Sequence, residues 1–228
     1  MYHYRLCFSK EGDLKFLSHL DLMRTFIRAL RRAGVPVAYS KGFNPQPKLS
    51  FAAPLGVGLE GKNEYLDLYL SEHREENKLM ESFNEQFPPG LKIKKISTVE
   101  LNQHPLASVI GAALYVANLP AVPPDLPQTL AGILHMDTLV KVRQDKKNVK
   151  KVDLRPFIYD LKIKDVDGKD TLFMLLATGS KGGVRPQEVL ELLHLERDTE
   201  IKVYRQDLFI LEGGTLKNPE GICSVYYL

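Results

Sequence analysis

Two segments of this chain alternate strictly between apolar and other side chains, and that period leaves little choice of fold. Tyr2, Tyr4, Leu6 and Phe8 alternate with His3, Arg5 and Cys7, and Leu66, Leu68 and Leu70 alternate with Tyr65, Asp67 and Tyr69. A period of two places successive side chains on opposite faces of a strand, so each segment has one apolar face to bury. Between them lies a helix signal. Ser18 is an N-cap with Asp21 in the first turn, and Leu20, Met23, Phe26 or Ile27, Leu30 and Ala33 form the expected buried stripe. Gly34 and then Pro36 stop it. Residues 49–54 read as a further strand, residues 75–87 as a helix ended by Pro88-Pro89-Gly90, and residues 91–99 as a strand. Val35 to Ser40 reads as one more short strand, so the order β-α-β-β-(β)-α-β fits a ferredoxin-like α/β sandwich with an extra strand.

The second half repeats this order more loosely. Strands are expected at 112–118, 138–144, 150–163, 171–177 and 201–211, with helices at 128–136 and 186–193. The fold class expected is therefore α+β, with two ferredoxin-like halves built on antiparallel sheets, residues 1–103 and 104–228, joined near Asn102-Gln103-His104-Pro105. A chain of 228 residues that is 44 % hydrophobic has enough material for such cores. No run of 18 apolar residues and no apolar leader after Met1 is present, so a cytoplasmic protein without membrane association is expected. Cys7 and Cys223 are too few for a disulfide framework and are expected to be reduced thiols.

The net charge is only +3, but residues 1–50 carry nine Lys or Arg against three acids. Arg24, Arg28, Arg31 and Arg32 fall at i, i+4, i+7 and i+8, which stacks them along one side of the helix. Such a stripe is either a solvated face, partly neutralised by acids from elsewhere, or a phosphate-binding face. Guanidinium groups fork onto phosphate oxygens and stack on bases, which favours the second reading. Next comes Tyr39-Ser40-Lys41-Gly42-Phe43-Asn44-Pro45-Gln46-Pro47-Lys48. The two prolines and Gly42 make it a loop, and its mixture of cations, aromatics and short polar groups suits a single-stranded nucleic acid. The alternative is that Phe43 anchors the loop in the core. Tyr39, Ser40, Lys41, Phe43, Asn44, Gln46 and Lys48 are candidate binding residues.

Other features point less sharply. His19 at the helix start is either a packed local cap or a general base acting with Lys41 or Lys48. Thr178-Gly179-Ser180-Lys181-Gly182-Gly183-Val184-Arg185-Pro186 precedes a helix, where Lys181 and Arg185 either cradle an anion or belong to a structural loop. It lacks the G-x-x-x-x-G-K-[ST] pattern of nucleotide hydrolysis. Asp153 and Arg155 share a strand face and are expected to pair there. No HExxH or CxxC spacing occurs, so neither a metal nor a cofactor is expected.

Three segments carry a resemblance: residues 16–24 (Phe-Leu-Ser-His-Leu-Asp-Leu-Met-Arg), residues 28–34 (Arg-Ala-Leu-Arg-Arg-Ala-Gly) and residues 39–48. With Val152-Asp153-Leu154-Arg155-Pro156 and Gly182-Gly183-Val184-Arg185-Pro186, they are similar to the radical-SAM-linked (radical SAM-associated) protein family, a bacterial domain of unknown function. That family occurs alone or fused C-terminal to cobalamin-binding radical SAM proteins. Its genes often lie near those for an RNase E/G-type ribonuclease and ribosomal proteins, which implies an RNA partner. Gln46 departs from the family, whose members often have His there. The cysteine triad of the radical enzyme is absent, so the resemblance implies an accessory module. The expected function is RNA binding or substrate presentation linked to RNA modification or translation. The alternatives are a metal-independent ribonuclease or RNA-modifying enzyme, and a protein-interaction partner of a radical SAM enzyme.

Overall fold

A computed structural model of the protein describes residues 1–145, 148–179, 182–195 and 200–220. In chain order the elements are β1 (Tyr2–Lys10), α1 (His19–Arg32), β2 (Leu49–Phe51), β3 (Glu60–Leu70), α2 (Glu76–Asn84), β4 (Leu91–Val99), α3 (Leu106–Val109), β5 (Ile110–Asn118) and α4 (Leu126–His135). They continue with β6 (Val140–Asp145), β7 (Asn148–Asp153), β8 (Ile158–Val166), β9 (Lys169–Ala177), α5 (Pro186–Leu192), β10 (Lys202–Glu212) and β11 (Thr215–Lys217). The fold is α+β, and the pairs β1–β3, β1–β4, β2–β3, β5–β9, β6–β7, β8–β9 and β10–β11 run antiparallel. No helix of the described residues is long and apolar enough to cross a membrane. The chain groups into two compact units, Met1–Ile110 with the described stretch from Arg205 onward, and Gly111–Tyr204.

In the first unit the strand order is β4-β1-β3, with β2 and β10 both on the far side of β3. Leu6 faces Leu66 on one side and Ile96 on the other. This arrangement is compatible with the ferredoxin-like half expected from the sequence. Residues 35–40, expected as a further short strand, form none and make only isolated bridges at Val37 and Tyr39. The even-numbered face buries Tyr4, Leu6, Phe8, Leu66, Leu68 and Leu70 against α1 and α2. Phe26 lies at its centre, edge-on to Phe8, Phe51 and Phe87 at 4.9–5.3 Å. A fully buried Leu or Phe stabilises by about 1.5–3 kcal/mol, so this cluster dominates the unit.

The inward stripe of α1 is Leu22, Phe26, Ala29 and Leu30. Leu20, expected inside, is 61 % exposed. The helical period explains it: with Leu22 and Phe26 pointing inward, Leu20 is turned well away from them. Ser18 caps the helix by accepting from the Asp21 amide at 3.2 Å. At the other end Gly34 takes φ +62°, and the Val35 amide returns to the Leu30 carbonyl at 3.0 Å. This left-handed closure is what glycine permits cheaply.

The opposite face of the same sheet is polar and also buried. Asp67 accepts from Arg5 Nε at 3.0 Å and from the Leu106 amide at 2.9 Å, and His3 Nε2 lies 3.3 Å from it. His3 stacks on Tyr69 with ring centroids 4.4 Å apart. Arg5 also donates to the Pro219 carbonyl at 2.7 Å. The segments around Leu106 and Pro219 therefore roof this face with backbone groups that satisfy its charges. Burial would raise the Asp67 carboxyl, but His3, Arg5 and the Leu106 amide outweigh it and hold it below the usual carboxylate range.

Farther along β3, Glu64 takes two hydrogen bonds from Arg205, at 2.8 and 2.5 Å, and Arg205 donates further to the carbonyls of Ala53 and Pro54. Asp207 accepts from Asn63 at 3.2 Å and from the Tyr65 hydroxyl at 3.4 Å. The expected strand at 201–211 is present. Its residues from Arg205 onward belong to the first unit, where Arg205 and Asp207 find these partners. Cys7 is buried, with its thiol pushed up to about 12 by desolvation; Cys223 lies outside the described residues.

In the second unit the order is β5-β9-β8, with Leu114 facing Leu175 and Leu161 facing Met174, while β6 and β7 form a separate hairpin. The single strand expected at 150–163 is broken into β7 and β8 by a 3-10 turn at Arg155–Phe157. Pro156 cannot donate to a sheet ladder, which accounts for the break. The side-chain pair expected between Asp153 and Arg155 is replaced by bonds to backbone. Asp153 accepts from the amides of Leu139 and Arg155, and Arg155 donates to the carbonyls of Leu134 and Ile158.

Candidate nucleic-acid interface

Four arginines project from the side of α1 opposite its buried stripe, and all four are exposed. The helix creates this face through its period: inward positions 22, 26, 29 and 30 leave 24, 28, 31 and 32 outward. Their partners differ. Arg24 reaches Asp21 at 3.0 Å, an exposed pair of the kind worth roughly 0–1 kcal/mol. Hydrogen bonds from the Ser18 hydroxyl and from Arg24 hold the Asp21 carboxyl below its ordinary range. Arg32 donates to the side chain and backbone carbonyl of Gln86 at 3.1 and 2.5 Å. Arg28 and Arg31 make no hydrogen bond or ion pair with a described residue.

The loop that follows is fastened at its base. The Ser40 amide donates to the Gln46 carbonyl at 2.8 Å, and the Gln46 amide to the Ser40 hydroxyl at 2.9 Å. One step further back, the Ala38 amide bonds Tyr69 and the Lys48 amide bonds Ala38, which ties both arms to the end of β3. Five residues bulge beyond the clamp, and Phe43 is the middle one. It is fully exposed, so it does not anchor the loop in the core. Gly42 sits at φ +132°, a conformation that a side chain would strain. Tyr39 is 47 % exposed and bridges Pro47. Lys41 and Asn44 are exposed, and Lys48 lies 3.8 Å from the Met1 sulfur. Gln46 donates its side-chain amide to the Asn44 carbonyl at 3.4 Å. Among the described residues no hydrogen bond, ion pair or ring contact links this loop to the arginines of α1.

His19 opens α1 and packs edge-on against Phe51, ring centroids 5.3 Å apart. It has no hydrogen-bonded acid or base among the described residues. The glycine-rich segment before α5 is arranged differently from the anion cradle considered for it. The Glu188 carboxylate folds back to accept from the Arg185 amide at 2.9 Å, and Arg143 grips both its oxygens at 2.8 Å. The start of this helix thus holds its own carboxylate. Arg185 points to solvent, and Lys181 lies outside the described residues. Among the described residues no cluster of three or more His, Cys, Asp or Glu is placed to hold a metal ion.

The buried charged groups of the sheet (Arg5 with Asp67, Glu64 with Arg205, and Asp207 with Asn63 and Tyr65) carry no motif. Their one sequence signal is a carboxylate at position 67 on a strand face otherwise made of tyrosines. Their partners lie as far as 214 residues away along the chain, beyond any local pattern.

A model of the bacterial family described as "Uncharacterized protein conserved in bacteria" (DUF2344) matches residues 3–186. No curated protein matches. Among solved structures, a crystal structure of an unknown protein from Galdieria sulphuraria is 11 % identical, over 91 % of this chain and 96 % of that one, with a TM-score of 0.28.

Proposed function

The chain belongs to the bacterial DUF2344 family of uncharacterized conserved proteins, and we propose that it is a cytoplasmic RNA-binding module whose α1 arginines hold backbone phosphates. The observation that carries this reading is the pair Arg28 and Arg31, exposed on one helix face without a hydrogen bond or ion pair to any described residue, with Asp21, already bonded to Arg24, the acid whose field reaches Arg28. Elsewhere the chain supplies such counter-charges, as Arg5, Arg143 and Arg205 show. Two unpaired guanidinium groups on one helix face, of which only Arg28 feels the field of Asp21, attract a polyanion. Lys41 and Lys48 of the same unit add cations at exposed or half-exposed positions, and in the second unit Arg185 is an exposed cation of its own. A ribonuclease reading finds less support, since His19 packs on an aromatic ring rather than against a proton-transfer partner. The resemblance to radical-SAM-linked proteins extends the reading to an accessory role in RNA modification, presenting RNA to a radical SAM enzyme.

The test is filter binding of total cellular RNA at increasing salt. Affinity should fall log-linearly with salt concentration between about 50 and 300 mM, as counterion release requires. The double substitution Arg28→Ala/Arg31→Ala should weaken binding and flatten that slope. Binding indifferent to both salt and the double substitution would refute the proposal. Co-purification of a radical SAM protein that survives nuclease treatment would support the accessory role.

A further inference from the structure

We infer that the loop bearing Phe43 is a stacking platform for an unpaired nucleobase, so that the protein selects single-stranded over double-stranded nucleic acid. The inference rests on the phosphate-binding role of α1 and specifies what the loop contributes. Three observations converge. First, Phe43 is fully exposed although the loop around it is ordered by its own hydrogen bonds. An aromatic ring held in water at the centre of a clamped loop contributes nothing to the core that lies beneath the strands. Second, the loop is stiff where the ring needs support. Pro45 and Pro47 restrict the backbone, Asn44 precedes a proline and is thereby pushed toward extended geometry, and Ser40 and Gln46 close the base. Little entropy is left to lose when a flat partner settles on the ring.

Third, the charge along the segment that carries the loop favours an anionic partner. Residues 22–59 contain no Asp or Glu, but they include Arg24, Arg28, Arg31, Arg32, Lys41 and Lys48. That run of 38 residues without a carboxylate leaves the segment's cations unopposed by acids of their own stretch. A ligand made of flat rings joined by phosphates matches both the ring and the cations. In a duplex the base faces are stacked on one another and closed to Phe43, whereas in a single strand every base has an open face. Tyr39, half exposed at the foot of the loop, offers a second ring.

The chain has no tryptophan, which provides a direct readout. In the Phe43→Trp variant the only indole sits on the loop. Titration with single-stranded oligoribonucleotides, single-stranded oligodeoxyribonucleotides and a duplex of equal length, at about 50 mM salt, should quench its fluorescence with either single strand and not with the duplex. Fluorescence anisotropy of labelled oligonucleotides should show Phe43→Ala weakening single-strand binding about tenfold or more, the scale of one stacked base, with duplex binding unchanged. Equal binding of single strand and duplex, without quenching and without an effect of Phe43→Ala, would overturn the stacking platform. If Arg28→Ala/Arg31→Ala still abolished that binding, the phosphate-binding role would stand alone. Absence of binding to any of the three probes would overturn both. Preference for RNA over DNA among the single strands would further support a base-and-ribose ligand and identify its source.

Discussion

Arg205 reaches Glu64 through two hydrogen bonds and donates further to the carbonyls of Ala53 and Pro54. Arg28 and Arg31 stand on the outer face of α1 with no described partner. The same side chain is thus used in two ways within one unit. Inside, desolvation is severe, and a guanidinium persists only if its donors are matched. Outside, water satisfies the group, and the lack of an ion pair leaves a local field. The buried arginines explain how the unit holds together, and the exposed ones explain what it attracts.

The largest effect expected from breaking this contrast lies in the interior. Glu64→Gln leaves Arg205 buried without its carboxylate and should lower stability by about 3–5 kcal/mol, measured as the midpoint of urea unfolding. Replacing both partners, Glu64→Gln with Arg205→Met, should recover part of that loss, because the buried guanidinium is gone while buried Lys10 still lacks the Glu64 carboxylate it faces. If the single and double variants were equally destabilised, the pair would not be the source of the cost.

A second interior prediction concerns acid. The Asp67 carboxyl is held below its ordinary range in the folded protein. Its contribution is therefore fully present above about pH 4, the unfolded value, and is lost as pH falls toward the folded one. Stability of the wild type should decline below about pH 4, and Asp67→Asn, less stable at neutral pH, should show a shallower decline. Parallel pH profiles for the two proteins would remove Asp67 from the explanation.

Between interior and exterior, Ser18→Ala removes the hydroxyl that caps α1 and should cost about 1 kcal/mol in thermal or urea unfolding. On the outer face the order of effects reverses. Arg28→Ala/Arg31→Ala should change stability by less than about 0.5 kcal/mol, as surface substitutions do. It should instead reduce the salt slope of single-strand binding by about 1.4, since each phosphate released from a guanidinium accounts for about 0.7 of that slope.

Much of the first unit could be read along the chain. The alternation of Tyr4, Leu6 and Phe8, the repetition of that pattern at Leu66, Leu68 and Leu70, and the Ser18 and Gly34 boundaries of α1 are local signals with local physical causes. Leu20 was misleading because a hydrophobic stripe read by eye tolerates a shift of one position, whereas the packed helix does not. Pro156 marked the break between β7 and β8, but its effect is hidden within a run of otherwise strand-like residues. The exposure of Phe43 was open, since an aromatic in a loop reads equally well as an anchor or as a contact. The paired charges across the sheet were illegible for a different reason: Glu64 and Arg205 are 141 residues apart, and neither carries any local mark of the other.

That separation has a consequence for biosynthesis. As the nascent chain leaves the ribosome, β1, β3 and β4 emerge with Glu64 and Asn63 still lacking the side chains that later engage them. The N-terminal unit closes only after Arg205 and Asp207 have been translated. A fragment ending near residue 110, cut to isolate the arginine helix and the aromatic loop, would expose an acidic seam on β3 and should behave as an incomplete protein, whereas one in which β10 is supplied as a separate peptide should be restored.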